Sequence, residues 1–362
     1  MNQLHIYLSN LEYNYKVLRS LINRNTELIA VLKANAYGSE IIKIANHLES
    51  LGITQFAVAY VDEGIKLRKQ GIKTPIIVFY PQEENLENII KYHLEPTLYS
   101  ENTLKKFKKI INHQKKHKYP VHIKYNTGLN RIGFNPEKVK WVLSEIQNNS
   151  IKLKSVYSHL ASSESSKKNP LSSEQINLFL KIKEYHQAHL ASKTKFHLLN
   201  SSGVFNYPEY QFDAVRCGIA LHGYANKLEW DKKLKPIAKL TSTICQIHRI
   251  KKGSNVGYDN GWTATKDSSI ATLPIGHADG IGRNFGNQKG YVLINRKIVP
   301  IIGNICMDML MIDVTNVKCK EGDNVCIFGK ENNGSDFAQM GNTISYELLT
   351  SLGKRVKRVI HK

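Results

Sequence analysis

A lysine at the end of an apolar run is the first residue of this chain that could do chemistry. In "IAVLKANAYG", residues 29–38, Lys33 follows four apolar residues and precedes a small polar turn. Strands more often end in Gly, Asn or Asp, so this lysine is either a surface charge or an amine held in a pocket. The stretch alone favours the surface charge, and the choice depends on what else lies near Lys33.

Other residues that could take part in chemistry or binding follow further short apolar runs of the chain. They are Lys124, Arg131 in "NTGLNRIGF", His159 in "YSHLAS", Asn200 and Ser201 in "HLLNSSG", and Arg216, Gly218 and Ile219 in "VRCGIALHGY". Singly, each has a structural explanation: a surface charge, a buried histidine or a helix cap. If the runs are strands of one barrel, however, these residues meet Lys33 at a single rim.

The apolar runs alternate with stretches of helical spacing, such as the apolar residues of 41–51 and of 178–189. The predicted strands are residues 28–32, 55–60, 76–80, 95–98, 121–125, 153–158, 195–199 and 214–216. Eight alternating strands and helices over this length predict an α/β fold, a (β/α)8 barrel with its active site at the carboxyl ends of the strands.

The pattern changes after about residue 226. Runs such as "LTSTICQIHRI" and "YVLINRKIVPIIG" are typical of strands, and turn sequences such as KKG and EGDN separate them. We therefore predict two domains, a barrel over 1–226 and a mostly β domain over 227–362 with a short helix near 345–352. The first 20 or so residues are predicted to be helical and to pack against the second domain.

Composition excludes several classes of function. The 51 Lys and Arg against 30 Asp and Glu give a net charge of +21, but the lysines are dispersed and no nucleic-acid-binding motif accompanies them. The five cysteines form no CxxC pair, which argues against a zinc site or a disulfide framework and for the cytoplasm. No apolar run approaches the roughly 18 residues of a membrane span, and the first 20 residues lack the basic-then-apolar layout of a signal peptide.

The residues at the rim suggest a phosphate-containing ligand. Ser201 with the amides of Gly218 and Ile219 follows the last two strands, where barrels commonly bind phosphate. A lysine amine, a phosphate cradle and an arginine together indicate pyridoxal phosphate held as a Schiff base. A phosphosugar aldolase is the competing barrel enzyme at this point.

Four blocks identify a family resemblance. They are "VLKANAYG", "NTGLNRIGF", "VRCGIALHGY" and "PIGHADG…IIGNICMDMLMIDV", the last followed by "TISYELL". With these blocks the chain resembles alanine racemase over nearly its whole length. The resemblance implies a barrel, a C-terminal β domain, bound pyridoxal 5'-phosphate and a homodimer in which each active site borrows residues from its partner.

The resemblance also implies the roles of individual residues. Lys33 is expected to hold the cofactor and act as base on D-alanine, and Tyr258 of the other subunit to act on L-alanine. Arg131 and the Met307 amide would contact the substrate, with Asp308 beside them. Arg216 would face the pyridine nitrogen of the cofactor, and His159, Asn200 and Lys124 would support the residues that bind the ligands. Lys124 matches a lysine that is carbamylated in some members of the family. The residues expected at the phosphate are Tyr37, Ser201, Gly218, Ile219 and Tyr346.

Some positions depart from the family pattern. "YGSE" lacks the usual histidine and glycine, Asn126 and Asn130 stand where Asp and Gly are common, and Lys354 replaces a tyrosine of some members. His277 occupies the place of a tyrosine where the substrate enters, so a broad-specificity amino-acid racemase is the alternative. A barrel decarboxylase and a pyridoxal-phosphate carrier fit the C-terminal residues less well, and a nucleic-acid binder, suggested by the net charge, lacks a binding motif.

Overall fold

The computed structural model describes residues 2–147, 150–165, 169–190 and 193–362. Two compact units make up the chain. One contains Asn14–Ala36 and Ile41–Leu221, and the other contains Met1–Tyr13, Tyr37–Glu40 and His222–Lys362. The second unit thus includes the N-terminal segment and a short piece of chain just after Lys33.

The secondary structure is as follows. The strands are β1 Gln3–Tyr7, β2 Glu27–Val31, β3 Gln55–Val58, β4 Ile76–Val78, β5 Glu95–Leu98, β6 Tyr119–Lys124, β7 Ile151–Tyr157, β8 Lys195–His197, β9 Ala214–Cys217, β10 Ala238–Thr243, β11 Gln246–Ile250, β12 Asn255–Val256, β13 Trp262–Thr263, β14 Ser268–Leu273, β15 Tyr291–Ile294, β16 Lys297–Ile302, β17 Leu310–Asp313, β18 Asn324–Phe328 and β19 Lys357–His361. The helices are α1 Leu8–Leu21, α2 Lys33–Tyr37, α3 Ile41–Ser50, α4 Val61–Lys69, α5 Leu86–Lys91, α6 Glu101–His113, α7 Val139–Ile146, α8 Pro170–His189, α9 Ser201–Asn206, α10 Leu228–Asp231, α11 Gly334–Met340 and α12 Ser345–Thr350.

Strands β2 to β9 form a closed parallel barrel in sequence order, with β9 pairing back onto β2. All eight predicted barrel strands are confirmed, each with ends within two residues of the prediction. Strands covered on both faces read as continuous apolar runs, which explains why the sequence revealed them. Strands β3 and β4 are buried at every position.

Several helices of the barrel unit bury an apolar stripe. In α3 the buried residues Ile41, Ile44, Ala45 and Leu48 recur at helical spacing. Helix α6 is capped at its N-terminus by Ser100, whose hydroxyl accepts a hydrogen bond from the amide of Thr103. Within the described residues, no helix is both long and apolar enough to cross a membrane.

The second unit is built on a nine-stranded sheet, in the order β11-β14-β17-β16-β15-β18-β10-β1-β19. Its strands alternate buried and partly exposed residues, as in β10. The predicted short helix near residue 345 is confirmed as α12. The helical prediction for the first 20 residues is wrong for β1, because Leu4 and Ile6 point to one face at a period of two and the strand pairs with β10 and β19.

Candidate active site

Lys33 begins a backbone turn of unusual conformation. Strand β2 ends at Val31, and residues 34–36 have φ angles of 53°, 55° and 52°, the left-handed helical region. Outside glycine this region costs roughly 1–2 kcal/mol per residue, and such strain is concentrated at functional sites. Glu63 accepts from the Ala34 amide at 2.5 Å and Asn35 accepts from the Ile41 amide at 3.2 Å, so two side chains hold the turn in place.

The Lys33 amine lies half-buried among other cations. Burial lowers the pKa of Lys33, and the charge of Arg131 lowers it further, while Glu63 opposes the shift. Lys124 is only 5% exposed, and burial together with Arg131, Arg216 and Lys33 lowers the pKa of Lys124 to about 7. The pKa of each of these two lysines is therefore lowered, in surroundings whose positive charge favours an anionic ligand.

The loop that carries Arg131 is shaped by two asparagines. Asn126 Oδ1 accepts from the amides of Gly128, at 3.2 Å, and Asn130, at 2.8 Å. Asn130 has a φ of 56°, a conformation that asparagine tolerates better than most residues. The two departures from the family sequence are thus used to fold the loop that presents Arg131.

Arg216 is a buried guanidinium whose two terminal nitrogens donate hydrogen bonds inside the barrel. It donates to the carbonyls of Ser158 at 2.7 Å and Leu198 at 2.8 Å. Its side-chain neighbours are His197 Nδ1 at 2.6 Å and His159 Nδ1 at 3.2 Å. Burial and the charge of Arg216 lower the pKa of both histidines well below its ordinary value, so they are neutral acceptors.

His197 and Gln175 belong to this cluster and were not singled out in the sequence. His197 is a polar residue in the predicted strand 195–199, which lies beside the strand of Arg216. That position in the sequence could have identified it as a candidate site residue. Gln175, in α8, donates to the carbonyl of His159 at 3.1 Å and accepts from the Ala161 amide at 2.8 Å. It holds the loop that carries His159.

Ser201 lies under the turn that follows β9. Its Oγ accepts from the amides of Gly218 at 3.1 Å and Ala220 at 3.3 Å. Asn200 Oδ1 accepts from the Gly203 amide at 2.9 Å and so starts α9 at Ser201. Among the described residues, the buried amide of Ile219 has no hydrogen-bond acceptor. This N–H group is therefore available to donate to a phosphate oxygen.

In the second unit, Tyr37 packs against two aromatic residues. Its ring centroid lies 4.8 Å from that of His222 and 6.0 Å from that of Tyr346. The Tyr346 hydroxyl accepts from Asn226 Nδ2 at 3.3 Å. The two tyrosines expected at the phosphate are therefore neighbours in one aromatic cluster.

Tyr258 stands on an exposed turn between β12 and β13. Gly257 has a φ of 80° and Asp259 one of 54°, and Asn304 Nδ2 donates to the Tyr258 carbonyl at 2.9 Å. The backbone is thus held while the side chain is 69% exposed. A tyrosine presented in this way is available to a group outside its own turn.

Met307 and Asp308 lie on a loop that packs against the "GHADG" turn. The amides of His277 and Ala278 donate to the carbonyls of Cys306 and Met307, both at 3.0 Å. A Cβ on Gly276 would lie 2.4 Å from those two carbonyl oxygens, so the close approach requires glycine.

Arg355 ties these two segments together. It donates to both carboxylate oxygens of Asp279, at 2.9 and 3.0 Å, and to Asp308 at 2.7 Å. Met307 remains 59% exposed. The ion pairs therefore fix the loop without covering the residue expected at the substrate.

Both parts of the chain match known families. Residues 6–226 match the family model "Alanine racemase, N-terminal domain", and residues 237–360 match "Alanine racemase, C-terminal domain". The chain belongs to the alanine racemase family. The enzyme class and the family resemblance seen in the sequence are confirmed.

Relatives and solved structures agree with the family models. The alanine racemase of Treponema denticola is 38% identical over 98% of this chain and 96% of its own length. An amino-acid racemase of Enterococcus faecalis is 32% identical over 98% of this chain and half of its own length. The structure of alanine racemase from Clostridium difficile 630 superposes with a TM-score of 0.92 at 32% identity, covering 99% of this chain and 95% of that one.

Alanine racemases depend on pyridoxal phosphate, and the residues of this chain fit that group. Lys33 offers an amine with a lowered pKa, the turn at Ile219 offers a free amide, and Arg216 offers a fixed guanidinium. No group of three or more metal-ligand side chains occurs in the described part of the chain.

Proposed function

We propose that this alanine racemase uses pyridoxal phosphate bound at Lys33, and Lys33 and Tyr258 as its two bases, to interconvert L-alanine and D-alanine. The observation that carries the proposal is the amine of Lys33, whose pKa burial and Arg131 lower together. A lowered pKa enlarges the neutral fraction of an amine, and a neutral amine can attack a carbonyl carbon and can also accept a proton.

Two bases are needed because racemisation moves the α-proton from one face of the carbon to the other. The cofactor, when bound, supplies an electron-withdrawing ring that makes this proton acidic. Lys33 removes or returns the proton on the face of D-alanine, and Tyr258 does so on the face of L-alanine. Each base must come within hydrogen-bond reach of the carbon's proton.

The remaining residues bind and orient. Arg131 attracts the substrate carboxylate, and the Met307 amide donates to it. Ser201, Gly218 and Ile219 hold the phosphate, with Tyr37 and Tyr346 contributing hydroxyl groups. Lys124, His159, Asn200 and Asp308 support these contacts through their charges and hydrogen bonds.

Arg216 has a separate role at the pyridine nitrogen of the cofactor. A guanidinium keeps its own protons, so Arg216 leaves the ring nitrogen unprotonated, unlike an aspartic acid. A neutral ring withdraws electrons less strongly. We infer that this limits side reactions such as transamination.

The proposal includes a homodimer in which Tyr258 and Met307 serve the partner's barrel. The exposure of both side chains supports this arrangement. The dimer is proposed to act in the cytoplasm and to supply D-alanine for peptidoglycan. The cysteines support a reducing compartment, since all five are free.

Loss of optical rotation tests the proposal directly. L-alanine, L-serine and L-lysine are each incubated with purified protein and pyridoxal phosphate. We expect rapid loss for alanine alone. Faster loss for lysine or serine would favour a broad racemase, and no loss for any of them, in a protein that binds the cofactor, would refute the proposed reaction.

A further inference from the structure

A chain of hydrogen bonds crosses the inside of the barrel and ends at the guanidinium of Arg216. Arg216 Nη1 lies 2.6 Å from His197 Nδ1, and His197 Nε2 lies 2.8 Å from Ser155 Oγ. Ser155 Oγ lies 2.6 Å from His122 Nδ1, whose Nε2 lies 2.9 Å from Glu95 Oε2. All five residues are buried, and they come from the neighbouring strands β9, β8, β7, β6 and β5.

An irregularity in strand pairing makes the middle of this chain possible. Val121 pairs with Leu153, but the next residue, His122, pairs with Ser155, so Lys154 is an extra residue in β7. Bulges of this kind redirect side chains and are common near active sites. With regular pairing, His122 would lie opposite Lys154 instead of Ser155.

The direction of the hydrogen bonds follows from the end at Arg216. A guanidinium can only donate, so Nδ1 of His197 must accept. Because His197 is neutral, its single ring proton is on Nε2, and that nitrogen donates to Ser155. Stacking on Tyr157, with ring centroids 4.7 Å apart, keeps the imidazole of His197 in this orientation.

The other end of the chain requires the same direction. Burial opposes the ionisation of Glu95, but hydrogen bonds from His122 and Gln55, with the charge of Lys154, hold the pKa of Glu95 below its ordinary value. Gln55 Nε2 donates to Glu95 at 2.7 Å, and a carboxylate can only accept. Nε2 of His122 therefore donates to Glu95.

Ser155 completes the chain with its single hydroxyl hydrogen. It accepts from His197 and donates to Nδ1 of His122, so every donor meets one acceptor. If His122 donated from Nδ1 instead, Ser155 would accept twice. Its own hydrogen would then have no acceptor in the described part of the chain.

We propose that Glu95 is a positioning residue for Arg216. Its carboxylate holds His122, Ser155 and His197 in the set of tautomers that turns the lone pair of His197 Nδ1 toward the guanidinium. Hydrogen bonds aligned in one direction polarise one another, so the carboxylate also strengthens the last bond of the chain. The catalytic consequence rests on the proposed function, in which Arg216 faces the pyridine nitrogen.

Glu95→Gln and Ser155→Ala test this role in the holoenzyme. The first removes the charge with little change of shape, and the second interrupts the chain in the middle. Glu49→Gln is the matched control, because Glu49 accepts a hydrogen bond from Thr74 at 2.6 Å and has no link to Arg216. The readouts are the 15N signals of labelled histidine rings, assigned with His197→Asn, the visible absorption of the bound cofactor, and steady-state kinetics with alanine.

We expect His197 of the wild type to carry its proton on Nε2, and both test variants to lower the population of that tautomer. The cofactor absorption maximum should shift, and kcat should fall about 10-fold with KM nearly unchanged, since partners behind a functional group commonly contribute at this level. Glu49→Gln should change none of these.

Unchanged His197 signals in Glu95→Gln would overturn the proposal. The proposal would also be overturned if the His197 signals change while the cofactor absorption and kcat stay at their wild-type values. If Glu95→Gln does not fold, the His197 signals and kcat of Ser155→Ala decide in the same way. A wild type with the expected His197 tautomer but no racemisation would refute the proposed function and leave the hydrogen-bond chain standing.

Discussion

The barrel buries its reactive side chains, whereas the β unit exposes them. Lys124 and Arg216 are 5% and 3% exposed, and Tyr258 and Met307 are 69% and 59% exposed. In the barrel, burial and neighbouring charges shift pKa values, as for Lys124 at about 7. The turns of the β unit are instead held by backbone hydrogen bonds and by the ion pairs of Arg355.

The two regions therefore differ in how they could make a side chain reactive. At the barrel rim, burial and the charge of Arg131 lower the pKa of Lys33. Tyr258 is positioned by its turn, and its side chain is largely exposed. We therefore expect its reactivity to depend on a partner subunit, and the following predictions test that difference.

The largest effect is expected at Lys33. Lys33→Ala removes the amine that binds the cofactor and acts as a base, so activity should fall by at least about 1,000-fold. The visible absorption of the bound cofactor should be lost as well. Lys69→Ala, on the exposed face of α4, is the control and should match the wild type; an unchanged spectrum in Lys33→Ala would disprove the cofactor site.

Tyr258→Phe should act on one direction of the reaction. Removal of the phenol should slow exchange of the α-proton of L-alanine with solvent by about 100-fold or more, and that of D-alanine much less. Exchange into heavy water, followed by NMR, measures both rates. Tyr291→Phe, also in the β unit, is the control, and equal losses for the two enantiomers would contradict separate bases.

Mixed dimers test whether the two halves come from different subunits. When Lys33→Ala and Tyr258→Phe proteins exchange subunits, one site of each mixed dimer contains both bases and the other contains neither. We expect the inactive proteins to regain up to about half of the wild-type activity per mixed dimer. Mass spectrometry verifies the exchange, and proven exchange without activity would place both bases in the same chain.

The sequence predicted what depends on local pattern. The eight barrel strands were found because each is a short apolar run between turns, and the candidate site residues were proposed because motifs surround them. Strand β1 was missed because it pairs with β10 and β19, which lie more than 200 residues away in the chain. Long-range pairing leaves no mark in the spacing of five residues.

The site's interior was also hidden from the sequence. Gln175 and His186 lie on the buried face of α8, where a helical pattern predicts apolar residues. Gln175 bonds the loop of His159, and His186 Nε2 lies 2.9 Å from the Tyr125 hydroxyl. Such polar residues are recognised only when their partners from other strands and loops are in place.

The buried amine of Lys124 should make stability depend on pH. Its pKa is about 7 in the folded chain and that of an ordinary lysine is about 10.4, so between these values the unfolded state binds more protons. This contribution to the free energy of unfolding therefore rises with pH across that range. Lys124→Met should raise the melting temperature of the cofactor-free protein by a few degrees at pH 7.5, and by less at pH 9.5.

The exposed Lys152 supplies the matched control for this measurement. Lys152→Met removes a lysine from β7 without removing a buried amine, so its melting temperature should follow the wild type at both pH values. A stabilisation by Lys124→Met that is equal at pH 7.5 and 9.5 would show that packing, and not protonation, is responsible.

The smallest effect is expected at His277, an exposed residue of the β unit. Its amide is fixed by the Cys306 carbonyl, so a new side chain should leave the loop of Met307 in place. His277→Tyr restores the residue common in the family and should change kcat/KM for alanine by less than about threefold, while lowering the ratio of lysine or serine to alanine. Because the backbone hydrogen bonds are retained, a large loss of kcat/KM with alanine would mean that the imidazole of His277 itself takes part in the reaction. The exposed residues of the β unit would then contribute a second catalytic group besides Tyr258.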